Sequence, residues 1–153
     1  MKKMNNKGFS LVELIVVVLI MAIIAVALAP QVMKWVENSR KSNDIENYNA
    51  LIEAANVAGT NETVLKNLSS AATVTFKSTG VTINNANLAT EMKKTLPDLN
   101  ASTSESDKIK VQGDWPAGGH YNSGVFSFTV EKDSADGNGI KVTKVNYPDK
   151  NFS

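Results

Sequence analysis

The residues best placed to do chemistry lie within the first thirteen positions of the chain. Three lysines precede Gly8, and Glu13 stands inside the apolar run that follows. Glycine has no side chain, so a protease can hold the backbone closely at this junction. Cleavage after Gly8 would create a free amine on Phe9, one helical turn before Glu13. Because one turn of backbone separates this carboxylate from its own amine, and a buried carboxylate needs a cationic partner, the spacing predicts pairing with the amine of a neighbouring, staggered copy.

The element that carries these residues is a long apolar segment. Every position from Phe9 to Ala29 is apolar except Ser10 and Glu13. As a helix this segment is about 31 Å long, which is close to the hydrocarbon thickness of a bilayer. Lysines lie before the segment and none lie within it, so the sequence predicts a single-pass membrane helix with a cytoplasmic N-terminus.

Three interpretations compete for this segment. A cleavable secretory signal peptide fits the basic start and the small residues Ala27 and Ala29, but Pro30 would follow the cut and blocks such peptidases. A plain membrane anchor would leave Glu13 in the first turn, facing the positive end of the helix dipole. The third interpretation joins Gly8, Phe9 and Glu13 into one processing and assembly signal.

The sequence KGFSLVE, followed by the apolar run and Pro30, resembles the class III signal of type IV pilins and pseudopilins. In that family a prepilin peptidase cuts after the glycine and methylates the new N-terminal amine, usually on phenylalanine. Here the implied cut lies between Gly8 and Phe9, the methyl group goes to Phe9, and Glu13 and Pro30 become the fifth and twenty-second mature residues. The resemblance covers about the first 35 residues, and Ala22 stands where many members have glycine.

The resemblance implies a structural subunit and not an enzyme. Its expected partners are other pilins in a homo-polymer or co-polymer, the prepilin peptidase and methyltransferase, and an assembly platform with its ATPase. The subunit would lie in the cell membrane first and then in an extracellular pilus or an envelope-spanning filament. Two functions stay open, a surface pilus for adhesion or motility and a pseudopilin of type II secretion or competence DNA uptake. A membrane-tethered enzyme or ligand-binding protein is a third class.

Composition excludes several other classes. The 153 residues include 16 basic and 15 acidic residues, a net charge of +1 that argues against an electrostatic nucleic-acid binder. The chain has no cysteine and one histidine, so it has no disulfide, thiol nucleophile, cysteine zinc site or multi-histidine metal centre. No cofactor is predicted. Many Gram-negative pilins have a C-terminal disulfide loop and many Gram-positive ones lack it, which favours a Gram-positive source.

Proline at position 30 predicts a kink or a local loosening, and not the end of the helix. Residues 31–58 contain no glycine or proline, so the helix is expected to run from Phe9 to Ala58, with Gly59 as its C′ residue. Two apolar stripes follow Pro30. The first stripe, a candidate membrane-interface or subunit contact, comprises Val32, Trp35, Val36 and Ser39. The second stripe, expected to pack beneath a globular domain, comprises Ile45, Tyr48, Leu51, Ile52, Ala55 and Ala58. The chain thus divides into a leader (1–8), a transmembrane and assembly helix (9–29), its amphipathic continuation (30–58) and a β-rich head (59–153).

The head is predicted to be small and of the α+β class, with an antiparallel sheet laid on the second stripe. A short helix is expected at Asn87–Leu96 and a loop at 98–107. The strongest tertiary prediction is a hairpin formed by the last two strands. The predicted strands are Ala72–Lys77, Gly80–Ile83, Lys108–Gln112, Val125–Lys132 and 140–147.

Other candidate sites in the head carry weaker signals. His120 lies in a turn-rich loop without a companion that suggests a base and nucleophile pair, so a solvated or packed histidine is favoured over a catalytic one. Asp133, Asp136 and Asn138 offer oxygens to calcium, but their spacing does not match an EF-hand and suits a hairpin turn. Trp115 and Tyr121 are either exposed binding residues or a cover for the sheet.

Overall fold

In a computed structural model the described residues are 10–99, 109–133 and 139–151. Helix α1 runs from Leu11 to Ala58 with Pro30 inside it, which confirms the predicted continuation past the proline. The chain forms two compact units, residues 1–36 and 37–153, so residues 11–36 of α1 belong to the first unit and residues 37–58 to the second. The sheet belongs to the second unit.

Four strands are present among the described residues, and every pair of neighbours is antiparallel. They are β1 (Ala72–Lys77), β2 (Gly80–Ile83), β3 (Phe126–Lys132) and β4 (Ile140–Asn146), in the spatial order β2-β1-β3-β4. The first two strands match their predicted limits, and the predicted β3–β4 hairpin is confirmed. The architecture is therefore α+β, a long helix whose later part packs with a small antiparallel sheet.

The second stripe forms the contact between α1 and the sheet. Tyr48, Leu51, Ala55 and Ala58 are buried, while Ile45 and Ile52 are partly buried at its margin. Alternating residues of β1 and β3 supply the opposite side of this core, and they are Ala72, Val74, Phe76, Phe126, Phe128 and Val130. The Tyr48 ring meets the Phe126 and Phe128 rings edge to face, at centroid distances of 6.1 and 5.7 Å. The hydroxyl of Tyr48 donates to the Ser127 carbonyl at 3.2 Å, so its polar end is also satisfied.

Two short helices lie between α1 and β3. Helix α2 (Glu62–Asn67) was not predicted, although Asn61 caps it by accepting from the Thr63 N–H at 2.8 Å. Helix α3 (Ala86–Thr95) lies one residue before its predicted limits, because the Asn85 side chain caps it through the Leu88 N–H. In both helices an asparagine that favours N-caps sets the start.

The predicted strand at 108–112 is wrong over its described part. Residues 109–112 form no ladder, and their one backbone link to the sheet is the Val111 N–H, which donates to the Lys77 carbonyl at 3.1 Å. Lys108 lies outside the described residues. The next backbone donor, the Gln112 N–H, is bound by the carboxylate of Asp44 at 2.8 Å, so it cannot join a ladder.

Gly59 follows the last residue of α1, as predicted, but not in the left-handed conformation of a C′ glycine. Because Gly59 has no side chain, the Ile140 side chain can lie close to its backbone. A Cβ at this position would lie 2.3 Å from the Cγ1 atom of Ile140, at the start of β4. Thr60 completes the helix end, because its N–H and hydroxyl donate to the Val57 carbonyl at 3.1 and 2.8 Å.

Candidate functional site

In the first unit, Glu13 folds back onto the start of α1. Its Oε2 atom accepts the Ser10 N–H at 3.0 Å, and the Ser10 carbonyl accepts the Leu14 N–H at 3.2 Å. Ser10 and Glu13 thus have the spacing of a capping box, with the acid three residues after the N-cap position. This backbone partner within the same chain was not predicted from the sequence.

The first part of α1 is apolar and exposed. It is long and apolar enough to cross a membrane, and none of its most apolar window is buried within the protein. Exposed side chains continue through the first stripe, where Trp35 is 67% exposed. Gly8 and Phe9, the predicted cleavage and methylation positions, lie outside the described residues. Such an exposed apolar surface is compatible with membrane anchoring.

In the second unit, Asp44 is the one buried charged side chain among the described residues, with 0% exposure. It projects from α1 and accepts three hydrogen bonds. The Gln112 N–H donates to Oδ1 at 2.8 Å, while the Gly113 N–H and the Trp115 indole N–H donate to Oδ2 at 2.8 and 2.9 Å. Three N–H donors replace the water that a carboxylate loses on burial, which is how a charge can stay in this position.

Other residues of α1 extend this contact with the loop. The Glu37 carboxylate accepts the Asp114 N–H. The ammonium group of Lys41 lies 5.6 Å from the centre of the Trp115 ring. A Cβ on Gly113 would lie 2.7 Å from Lys41 Cγ, so only glycine fits here without displacement. The polar stretch 37–44, which has no apolar residue and no predicted role, therefore attaches the loop to α1.

A second carboxylate, on Asp149, attaches the far end of the same loop to the C-terminal segment. Asp149 Oδ1 accepts the Tyr121 hydroxyl at 2.6 Å and the Asn151 N–H at 2.9 Å, and Oδ2 lies 3.0 Å from His120 Nε2. The Tyr121 hydrogen bond, followed by the Asn151 N–H, lowers the pKa of Asp149. The same bond to Asp149 raises the pKa of Tyr121 to about 12.

Aromatic rings fill the space between these two attachments. The His120 ring stacks on Tyr147 with centroids 4.3 Å apart, and the Tyr147 N–H donates to the His120 carbonyl at 2.9 Å. Trp115 is buried and meets Phe126 edge to face at 5.1 Å, so it covers the core, while Tyr121 is half-buried beside it. His120 is thus a packed loop histidine, as favoured by the sequence. Its carboxylate partner, Asp149, had no sequence signal.

The calcium candidates stay untested. The Asp133 N–H donates to the Gly139 carbonyl at 3.0 Å and closes the β3–β4 hairpin, as expected for a turn. Asp136 and Asn138 lie outside the described residues. Within the ranges 10–99, 109–133 and 139–151, no three His, Cys, Asp or Glu side chains come together as a metal site.

An open groove of about 550 Å³ lies beside the face of α1 that is turned away from the sheet. Its lining includes Glu46 and Glu53 of α1, Lys150 of the C-terminal segment, and Ile45 and Ala50 as its apolar part. No hydrogen bond or ion pair joins either glutamate to another described residue. Both carboxylates of the groove are therefore exposed to solvent.

Comparison with known proteins identifies the N-terminal segment. Residues 3–29 match a family model described as the prokaryotic N-terminal methylation motif. Neither the curated proteins nor the solved structures gave a match to the chain. The motif implies processing by a prepilin peptidase and assembly into filaments, and its match includes Gly8, Phe9 and Glu13. The chain thus carries an N-terminal methylation motif, which supports its assignment as the class III signal of a type IV pilin or pseudopilin, and its α+β architecture is pilin-like.

Proposed function

We propose that this protein is the structural subunit of a type IV pilus-like surface filament that serves adhesion or motility. The observation that carries the proposal is a single acid, Glu13, one turn into an exposed apolar helix that lies within an N-terminal methylation motif. A plain anchor gains only a helix cap from this carboxylate, and a charge in hydrocarbon is costly. A subunit that must recognise the next subunit does gain from it.

Processing is the first step of the proposed function. A prepilin peptidase cuts between Gly8 and Phe9 and methylates the Phe9 amine. The cut removes the three leader lysines and leaves 13 basic residues against 15 acidic ones. Residues 9–29 then form the assembly helix, residues 30–58 its amphipathic continuation, and residues 59–153 the head.

Assembly is the second step, and Glu13 has two tasks in it. In the separate subunit its carboxylate caps the start of α1 through the Ser10 N–H, 3.0 Å away. In the filament it pairs with the Phe9 amine of a staggered neighbour, where low polarity strengthens the attraction. Proline at position 30 supports a local rearrangement of the helix, because it removes one backbone hydrogen bond.

Mass spectrometry of the mature protein tests the processing step. We expect the loss of residues 1–8 and a methyl group on Phe9. Gly8→Arg should block cleavage, because a long charged side chain cannot enter the groove of the protease. A mature N-terminus at Pro30 would instead show a secretory signal peptide and refute the proposal.

Three substitutions of Glu13 test the assembly step by separating the cap from the charge. Glutamine keeps the capping box but has no charge, whereas valine has neither. We expect few or no filaments with Glu13→Val and Glu13→Gln and a smaller loss with Glu13→Asp, while subunits accumulate in the membrane. Filaments are counted by electron microscopy of sheared material, and normal numbers with Glu13→Val rule out the charge pairing.

Deletion of the gene separates a surface pilus from the alternative, a pseudopilin of a type II secretion or competence filament. Loss of visible filaments together with adhesion or twitching favours the pilus. Loss of secretion or of transformation, in cells without long filaments, favours the pseudopilin.

A further inference from the structure

We propose that residues 32–36 of α1 are a membrane-interface contact, which holds the helix at a fixed depth where the chain leaves the bilayer. The partner of this segment is the phospholipid headgroup layer, with Trp35 among the lipid carbonyl groups and the ammonium group of Lys34 beside the phosphates. The inference deepens the membrane stage of the proposed function and rests on it. The whole segment belongs to the first unit of the chain.

Segment 32–36 presents apolar surface around most of the helix. Val32, Met33, Trp35 and Val36 are each between 45% and 74% exposed. Because an α-helix has about 3.6 residues per turn, these four residues lie on several sides of α1, and Lys34 lies on the remaining one. Such a surface suits a layer that surrounds the helix better than a partner that contacts one side of it.

The distance along the helix places this segment just beyond the hydrocarbon core of a bilayer. The chain is helical throughout this region, so axial distances follow from the rise per residue. Counted from Leu11, a core of about 30 Å ends near Gln31, and Trp35 lies about 6 Å further. Counted from Leu14, which follows the acid of the apolar run, the core ends near Lys34, and Trp35 lies about 1.5 Å further. The headgroup layer on one side of a bilayer is about 5–7 Å thick, so Trp35 lies within it by either count.

The residue types in the segment favour a headgroup layer over a second copy of the chain. Tryptophan is enriched at membrane interfaces, because its ring is apolar while its indole N–H needs a hydrogen-bond acceptor. Lys34 is the only charged residue between Glu13 and Glu37, and no ion pair joins it to another described residue. Its stem can lie on the apolar side chains while its ammonium group reaches a lipid phosphate. A second copy that met this segment with its own would bring two lysines together, and their charges would repel.

Quenching of tryptophan fluorescence measures the depth of Trp35 in the full-length chain, inserted into vesicles of phosphatidylcholine and phosphatidylglycerol. The chain has two tryptophans, the exposed Trp35 and the buried Trp115, so the difference between wild type and Trp35→Phe isolates the signal of Trp35. Lipids with bromine atoms at the headgroup end of their acyl chains should quench Trp35 at least twofold more than lipids with bromine at the chain ends. Stronger quenching from the chain ends, or none from either lipid, overturns the inference.

Charge reversal tests the contact of Lys34 with the phosphates. We expect Lys34→Glu to reduce the quenching of Trp35 by headgroup-end bromine at least twofold, because the anionic lipids repel the new carboxylate and the segment moves toward water. The matched control is Lys66→Glu, which reverses an exposed lysine on α2 and should leave the quenching unchanged. Unchanged quenching with Lys34→Glu, or an equal loss in both variants, would overturn the assignment of Lys34 as a headgroup contact.

A reporter in the middle of the apolar run separates this inference from the proposed function. In the Trp35→Phe chain, the tryptophan introduced by Ile20→Trp lies about 14 Å along the helix from Leu11, so chain-end bromine should quench it more strongly. Quenching of this reporter without quenching of Trp35 would show that the helix inserts but that segment 32–36 does not contact the headgroups, which overturns the inference alone. A reporter quenched by neither lipid would show that the helix does not insert and would refute the membrane stage of the proposed function itself.

Discussion

Replacement of Asp44 by alanine should destabilise the head more than any other single polar substitution on α1. The wild-type carboxylate is fully buried and accepts the N–H groups of Gln112, Gly113 and the Trp115 indole at 2.8 to 2.9 Å. Alanine leaves all three donors without this acceptor. A buried donor that loses its acceptor costs about 1–3 kcal/mol, and a hydrogen bond to a charged group contributes about 1.5–3 kcal/mol.

The three losses do not simply add. Gln112 is exposed and Gly113 half-buried, so water can reach their N–H groups once the loop moves. The indole of Trp115 is buried and carries the full penalty. Alanine also removes the cost of burying a carboxylate and raises helix propensity by roughly 0.5 kcal/mol. We therefore expect a net loss of about 3 kcal/mol, which in a head of this size lowers Tm by about 12 °C.

Thermal melting of a soluble fragment that begins near Gln31 measures this loss. Wild-type fragment should melt cooperatively, and Asp44→Asn should be nearly as harmful as Asp44→Ala because its amide N–H₂ opposes the N–H donors. Glu46→Ala, an exposed position on the same helix, is the control and should stay within about 0.5 kcal/mol of wild type. A Tm for Asp44→Ala within about 3 °C of the wild-type value would show that the buried carboxylate does not hold the loop.

Two further predictions concern the packing and the titration of the head. Gly59→Ala should cost about 1–3 kcal/mol because its Cβ would lie 2.3 Å from Ile140, whereas Gly139→Ala, which meets no atom within 4 Å, should melt like wild type. Equal Tm values for the two variants would contradict the close approach. Burial raises the pKa of Tyr48, and a hydrogen bond to a carboxylate raises that of Tyr121 to about 12, so two of the three tyrosines should stay protonated in the folded protein at pH 11. Because the raised pKa values favour the protonated tyrosines in the folded state, their contribution to the free energy of unfolding is present below pH 10 and is lost as the pH rises toward 12. Ultraviolet absorbance of the folded and the urea-unfolded protein measures the tyrosine titration. Titration of all three tyrosines near pH 10 in the folded protein would refute the prediction.

Elements with a repeating pattern were predictable from the sequence. The second stripe of α1 follows the helical repeat from Ile45 to Ala58, and β3 alternates apolar and polar residues from Phe126 onward. Burial of one face of each element then fixes how they pack. The N-terminal motif could also be predicted from the sequence, because its residues stand at fixed local spacings and need no tertiary contact.

The two carboxylate attachments were not predictable, because each depends on residues far apart in the chain. Asp44 and Trp115 are 71 positions apart, and Tyr121 and Asp149 are 28 apart. Nothing in the local pattern of the polar stretch around Asp44 distinguishes a buried acid from a solvated one. The strand predicted at 108–112 failed for the same reason, since a distant side chain binds the backbone donor that a ladder would need.

The loop that these carboxylates attach has a practical consequence for labelling the protein. Its two ends are fixed at Asp44 and Asp149, whereas the residues between, 116–119, are exposed and a Cβ on Gly118 or Gly119 would meet no atom within 4 Å. Exposed loop tips whose backbone makes few contacts are the sites that tolerate insertions. A short epitope placed between Gly118 and Gly119 should leave the head folded, so that every copy of the protein could be labelled without a change to its core.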